Sequence, residues 1–474
     1  MKAVKLSVTP AAVELAEGFA RIRKGMGLPE EFPAEVLREA AAAAGRPAVA
    51  GSDRTDRRGI ELLTIDPPGS MDLDQAFAAT RRGDGYRVWY AIADVGHFVD
   101  PGSALEAESL LRGSTLYSPD ERIPLYPPIL GEGAASLLPG QDRPAVLWTF
   151  EIDRAGNVPD ATVERALVRS RRRLTYAEAQ AEIDSADAAE SLQVLMEVGT
   201  LRQKVEQLRG GVDLRIPEQE IMKTGDGFEV AYRSEYPAER WNAQISLLTG
   251  ITAAGLMIAR GAGLLRTLPP PSEETVEGLR ASSAALGLEW RESTPYQDFI
   301  RRLQPSQPKE AAMLSAARVL FRGAGYAFFH GEPPEQPCHY AVAAPYAHVT
   351  APLRRMADRL CNELLLMGPD EETPAWLLDR LAAAPEILKK ADRRSRELDS
   401  RLVDFVEAQM LSGRLGEVFS GVVVQINTKG ALVQVSSPAV MATSVGAGYG
   451  LGEQVSVRLA VADPVEGMVK FELA

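Results

Sequence analysis

Apolar and polar positions fall into three textures along the chain. At the start, Thr9-Pro10 offers an N-cap followed by a first-turn proline, and Ala11 to Lys24 continues in helix-forming residues until Gly25 and Gly27 stop it. A second helix is predicted from Pro33 to Ala44, with Gly45-Arg46-Pro47 as terminator. Between about residues 55 and 410, alternating stretches such as Tyr86 to Ile92 and Ala145 to Ile152 read as strands. Helical patterns alternate with them over Ala243 to Ala259, Ala311 to Phe321 and Leu377 to Ser412, which predicts a mixed α+β body. From Gly416 the texture changes to short β-rich runs, Val418 to Gln425, Ala431 to Val435, Gln454 to Val461 and Met468 to Leu473, punctuated by Gly and Pro. The expected division is a helical domain over 1–55, a mixed sheet with helices over 56–412 and a β-barrel over 413–474.

Composition narrows the class. A chain of 474 residues, 25% charged and 45% hydrophobic, is ordinary for a soluble globular protein with a large core. Ile245 to Ala259 is the longest apolar stretch, but Ser246, Thr249, Gly250 and Thr252 interrupt it, so it reads as a buried helix short of a membrane span. Lys2 and Lys5 have no apolar run behind them, so a cytoplasmic protein without membrane contact is expected. Cys338 and Cys361 show no C-x-x-C pattern, which removes thiolate zinc sites and a disulfide framework.

A net charge of −13 argues against coating nucleic acid by bulk electrostatics. A lined channel needs only local basic surface. Candidate runs are Arg165, Arg169, Arg171, Arg172 and Arg173, then Arg354, Arg355 and Arg359, then Lys389 to Arg396; a solvated helix face is the competing reading of each.

The sharpest chemistry lies in Thr64 to Gln75, where Asp66, Asp72 and Asp74 sit in nine residues among apolar neighbours. Carboxylates held together away from water need a compensating cation. Magnesium takes one or two carboxylates with water and phosphate completing its shell. Asp72 and Asp74 share a face if extended, and Pro67-Pro68-Gly69 supplies a turn that brings Asp66 back toward them. A solvated acidic turn fits the spacing as well.

The surrounding residues resemble the ribonuclease II / ribonuclease R (RNB) family. Asp66 to Gln75 is similar to its signature T-x-D-x5-D-x-D-D-A, and Tyr90 to Val99, Pro101-Gly102-Ser103, Leu116 to Pro119, Ile123 to Pro127, Ser136-Leu137 and Asp142-Arg143 follow in the family's order. About 280 residues later, Tyr346-Ala347-His348-Val349-Thr350-Ala351-Pro352-Leu353-Arg354-Arg355 resembles its second diagnostic block. The resemblance covers roughly residues 30 to 474.

It implies a magnesium-dependent (or manganese-dependent) 3′-to-5′ exoribonuclease that degrades single-stranded RNA to nucleoside 5′-monophosphates, a monomer without a nucleotide cofactor. On this resemblance Asp66, Asp72, Asp74 and Gln75 occupy the metal positions, and Asp74 and Arg354 the catalytic ones. Tyr117 and Tyr176 match stacking aromatics, and Arg354 and Arg355 phosphate contacts. Gln244, after Ala243, stands where a glutamate pair contacts ribose, and Leu214 replaces a third clamp aromatic. Gln75 replaces a fourth aspartate, which lowers the expected affinity for a second ion. The histidines His97, His330, His339 and His348 are read as structural.

The tail resembles the family's OB-fold barrel of the ribosomal-protein S-one type, but its few aromatics and acidic balance predict weak RNA affinity. Relatives usually carry two cold-shock barrels ahead of the catalytic domain. Fewer than 65 residues precede the acidic signature here, so a helical unit, a candidate helix-turn-helix, is expected instead. The rival from another class is a catalytically weak RNA-binding regulator that keeps the RNB channel as a sleeve.

Overall fold

The computed structural model describes residues 12–51, 53–185, 188–214, 218–224, 227–233, 235–305, 307–368, 371–427, 430–436, 438–446 and 448–474. The predicted cap at Thr9-Pro10 and Arg215 to Pro217 next to Leu214 lie outside these residues.

The two N-terminal helices form where glycine and proline punctuation predicts them, as α1 (Ala12–Gly25) and α2 (Ala34–Ala44). They do not form a self-contained helix-turn-helix, because each turns its apolar face to a different part of the body. Leu15 and Phe19 of α1 pack with Leu398, Leu402, Phe405 and Val406 of the long helix Ala375–Leu411, and the Phe19 and Phe405 rings meet edge to face at 5.7 Å. Gly18 allows this approach, since a Cβ there would lie 2.0 Å from the Phe405 ring. Val36, Ala40 and Ala43 of α2 join the main core. Glu39 accepts hydrogen bonds from the Ala104 and Leu105 amides, at 3.2 and 2.8 Å, at the opening of the helix Ala104–Arg112. That placement is favourable for a carboxylate, because helix N-termini leave amides unpaired.

The body is built on one mixed sheet. Its strands are β1 (Thr55–Asp56), β2 (Leu62–Asp66), β3 (Gln75–Arg82) and β4 (Gly85–Ala93); a separate two-stranded hairpin, β5 (Leu116–Tyr117) and β6 (Arg122–Ile123), precedes β7 (Asp142–Ile152) and β8 (Asp160–Thr175). The sheet order is β1-β8-β2-β3-β4-β7, and β8 pairs antiparallel with β7 along its first part and parallel with β2 along its last, so the sheet turns back on itself. Its interior is filled by Phe77, Tyr90, Ile92, Trp148 and Phe150, all almost fully buried. Asp66 ends β2 opposite Thr175 of β8, and Gln75 opens β3 opposite Ile92 of β4. The acidic loop is therefore held at both ends by regular pairing.

The apolar run at Ile245 lies in the helix Pro237–Arg260, which by length and composition is apolar enough to cross a membrane, contrary to the sequence expectation. Here Ile245, Leu248, Ala253, Ala254 and Met257 are buried in the main core. Ala311 to Phe321 divides into an α-helix, Pro308–Ala316, and a tighter 3₁₀ turn, Ala317–Phe321.

The C-terminal segment closes as a five-stranded barrel. Four of its strands match the sequence reading. Ala439–Val445 is the fifth, and it pairs with Gly430–Ser436 on one side and Met468–Leu473 on the other. The barrel seats on the body through Val424 against Leu314 and Ala317, and through the Met441 amide, which donates to Glu407 of the long helix at 3.0 Å.

Candidate active site

After Asp66 the chain reverses through Pro67-Pro68-Gly69-Ser70, with Gly69 at φ +81° and the Ser70 amide donating to the Pro67 carbonyl at 3.2 Å. Glycine is the residue that takes this conformation without strain. The rest of the loop is fastened by Ser136 and Leu137. The Leu73 amide donates to Ser136 Oγ at 2.9 Å, that hydroxyl donates to the Met71 carbonyl at 2.6 Å, and the Leu137 amide donates to the Leu73 carbonyl at 3.0 Å. Leu73 is fully buried between the two aspartates, so the loop cannot slide.

The second signature meets this loop directly. The Leu353 amide donates to Asp74 Oδ1 at 2.7 Å, and Arg354 Nε lies 3.4 Å from Asp74 Oδ2. Arg354 sits in a turn just ahead of the helix Met356–Leu365 rather than inside its first turn, and its side chain is 44% exposed. Asp358 holds the turn from behind, accepting from the Ala351 amide at 2.7 Å and from the Arg355 guanidinium at 2.8 and 2.9 Å. Arg355 is thereby committed to Asp358, a two-pronged pair that fixes its orientation.

Burial pushes the Asp74 carboxyl up to about 8, and the charges of Asp72 and Asp358 push the same way against Arg354 and the Leu353 amide. Burial likewise raises Asp66 to about 6, with Asp72 adding to it. Asp66 Oδ2 is buried without a hydrogen-bond partner. An orphaned carboxylate oxygen beside the like charge of Asp72 is what a cation would relieve. The remaining predicted ligands are engaged elsewhere. Asp72 forms a close ion pair with Arg122, which also meets Glu132 at 3.2 Å. The Gln75 amide donates to the Thr350 carbonyl at 2.5 Å while its oxygen accepts from the Tyr90 hydroxyl at 3.1 Å. Among the described residues no group of three or more His, Cys, Asp or Glu converges closely enough to hold a metal. An ion held by Asp66, Asp72 and Asp74 would therefore need Asp72 released from Arg122 and would draw on water and phosphate for much of its shell.

Tyr117 stands beside the aspartates and is 46% exposed, and its phenol is pushed up to about 12 by burial of the hydroxyl and by the Asp72 charge. Tyr176 follows Thr175, the strand partner of Asp66, and opens a helix secured by a capping box between Thr175 and Glu178. Leu214 packs against the cluster around Phe299 and Leu279. Gln244 is buried and donates to Glu206 at 2.7 Å.

The basic runs are largely satisfied internally. Arg165 pairs with Glu363, Arg169 with Asp142 and Arg172 with Glu182, while Arg171 and Arg173 donate to the Arg58 and Ser70 carbonyls. Arg359 is buried against Glu106. Sequence reasoning missed Arg122, Asp358, Tyr90 and the roles of Ser136 and Leu137. The legible signal was Arg355-x-x-Asp358, an i,i+3 pair of opposite charge.

The RNB domain model matches residues 54–368, and the RNase II-type exonuclease C-terminal S1 domain model matches residues 417–474. Ribonuclease R of Aquifex aeolicus is 29% identical over 503 residues, covering 95% of this chain and 69% of that protein. Ribonuclease R of Vibrio cholerae is 25% identical over 502 residues, covering 94% of this chain, which spans 60% of that protein's length. Mycoplasma genitalium RNase R, solved in complex with ribose methylated single-stranded RNA, shares the fold at a TM-score of 0.85 and 20% identity, over 97% of this chain and 78% of that one. With one family model matching most of the chain and the two diagnostic blocks joined at Asp74, this protein belongs to the RNB family.

Proposed function

We propose that this protein is a divalent-metal-dependent 3′-to-5′ exoribonuclease that hydrolyses single-stranded RNA and releases nucleoside 5′-monophosphates. The observation that carries this reading is the contact of Asp74 with the Leu353 amide and Arg354, beside the unpartnered oxygen of Asp66. Its family supports it, and so does the RNA held by the Mycoplasma genitalium relative.

Asp66, Asp72 and Asp74 would hold the ion, magnesium being the natural choice and manganese its substitute. When bound, a divalent cation supplies an activated water and neutralises charge on the scissile phosphate. The chain's own residues do the remainder. Arg354, exposed and aimed from a turn fastened by Asp358, binds the nonbridging oxygens where negative charge grows in the transition state. Asp74, held at one oxygen by the Leu353 amide, keeps its second oxygen facing Arg354 and the reacting centre. The open Tyr117 ring offers a stacking face that accepts any base. Gln75 serves the scaffold, since its amide is already shared between Thr350 and Tyr90.

A second reading, an RNB sleeve that binds RNA without cutting it, is favoured by the closure of Arg122 on Asp72. Incubation with 5′-labelled single-stranded RNA and magnesium, beside Asp74→Asn, separates the two. Ends shortening to a few-nucleotide core in the wild type alone is the expected result. Intact RNA with magnesium and with manganese overturns the enzyme, and a shifted native-gel band would then favour the sleeve.

A further inference from the structure

Arg23, near the end of α1, is 3% exposed. A buried guanidinium is costly unless it is paired and hydrogen-bonded. Apart from Glu30 at 3.4 Å, its partners all lie in the turn that joins β5 to β6. Nη1 donates to Ser118 Oγ at 3.1 Å and to the Asp120 carboxylate at 2.7 and 3.0 Å, and Nη2 lies 2.8 Å from Glu121. Asp120 and Glu121 are adjacent like charges, so without Arg23 they repel within a four-residue turn.

That hairpin faces two ways. Leu116 and Ile123 are seated in the cluster formed by Leu15 and Phe19 of α1 with Leu402 and Phe405 of the long helix. Their neighbours Tyr117 and Arg122, paired across the strands, face the acidic loop, where Arg122 closes on Asp72. At its base the hairpin is tied to the arginine turn, with the Thr115 amide donating to the Arg354 carbonyl at 2.9 Å and Ser114 bridged to Arg355. At its tip it is tied to α1 through Arg23. The apolar contacts of Leu15 and Phe19 already dock α1, so the ion cluster acts mainly on the tip.

We propose that Arg23 is a positioning residue for RNA hydrolysis. By fixing the 118–121 turn it sets where Tyr117 meets the 3′-terminal bases and where Arg122 meets Asp72, so that the N-terminal helix governs the grip on the substrate. The substrate in this statement rests on the exoribonuclease reading; the geometry does not.

The test compares wild type with Arg23→Met, which keeps side-chain length and apolar stem, with Arg23→Lys, which keeps the charge without the fork, and with Asp120→Asn, which leaves α1 intact. Hydrogen exchange is read over residues 114–124, with KM, kcat and final product length on single-stranded RNA. Arg23→Met should speed exchange in the hairpin about tenfold. It should raise KM about tenfold with kcat held within about twofold, and lengthen the final products. Arg23→Lys and Asp120→Asn should fall between it and wild type. Unchanged exchange in Arg23→Met and Asp120→Asn overturns the staple. Faster exchange with unaltered KM and product length overturns its role in grip. If wild type leaves RNA intact, the exoribonuclease reading fails by itself, and anisotropy of a 3′-fluorescein RNA then reads the grip, with weaker binding by Arg23→Met expected and equal binding overturning the proposal.

Discussion

The Gln75 side-chain amide donates to the Thr350 carbonyl at 2.5 Å, joining the acidic loop to the arginine turn across 275 residues of sequence. Its oxygen accepts from Tyr90, whose hydroxyl also meets Ser246 at 2.6 Å. An aspartate at this position has no N–H to give Thr350, so the departure from the family pattern exchanges a charge for a strut.

Gln75→Glu keeps the shape and loses the donor, leaving a carboxylate against a carbonyl. The expected cost is about 1–3 kcal/mol of stability, measured by denaturant unfolding, with no gain in manganese affinity by calorimetry. Tighter manganese binding at unchanged stability would make Gln75 a ligand position.

Asp74→Asn should abolish cleavage while preserving RNA binding. Arg354→Ala should slow cleavage about 10²–10³-fold, and Arg354→Lys should recover little of it, because a point charge does not reproduce the planar fork. Single-turnover rates beside native-gel affinities check both. A lysine variant close to wild type would reduce Arg354 to general charge.

Asp66 and Asp74 bind their protons more tightly in the folded chain than in the unfolded one, being raised by burial to about 6 and about 8. The stabilisation is therefore complete below the ordinary aspartate range and is lost as pH rises through those two values. Partly buried His97, His339 and His348 bind protons less tightly than free histidine and pull the other way at lower pH, so the melting temperature of metal-free protein should fall between about pH 7 and about pH 8. Asp74→Asn should flatten the upper part of that fall, and added magnesium should oppose it. A fall of the same size in wild type and Asp74→Asn would contradict the buried, raised carboxyl of Asp74.

Arg122 competes with any cation for Asp72. Arg122→Gln should tighten manganese binding several-fold, about 3- to 10-fold, by removing a positive charge from the site. Calorimetric titration of the metal alone reads this without turnover. Weaker binding in the variant would mean that Arg122 orients Asp72 for the ion.

Much of the architecture was legible in the sequence, because hydrophobic periodicity reports which face a segment buries. Tyr86 to Ile92 and Leu377 to Ser412 appear as Gly85–Ala93 and Ala375–Leu411 within a few residues. Ala439–Val445 escaped, since Ala, Met and Ser dilute its Val and Thr; its place follows from closing a barrel between strands distant in sequence.

That the acidic triplet, Arg354 and Tyr117 belong together was readable from their two sequence blocks, and the structure brings Arg354 and Tyr117 to the acidic loop. Arg23 and Arg122 were not readable. Arg23 lies in a basic run with Arg21 and Lys24 and Arg122 follows Asp120-Glu121, both of which look like a solvated surface, and only the docking of α1 and the hairpin decides their partners. Sequence by itself determined which residue types are spaced as candidates for the chemistry and which segments form elements, as these depend on local covalent order. Tertiary structure decided that Gln75 braces Thr350, that Arg355 serves Asp358 and that the N-terminal helix reaches the site, because hydrogen bonds and ion pairs between remote segments depend on distances that only packing sets.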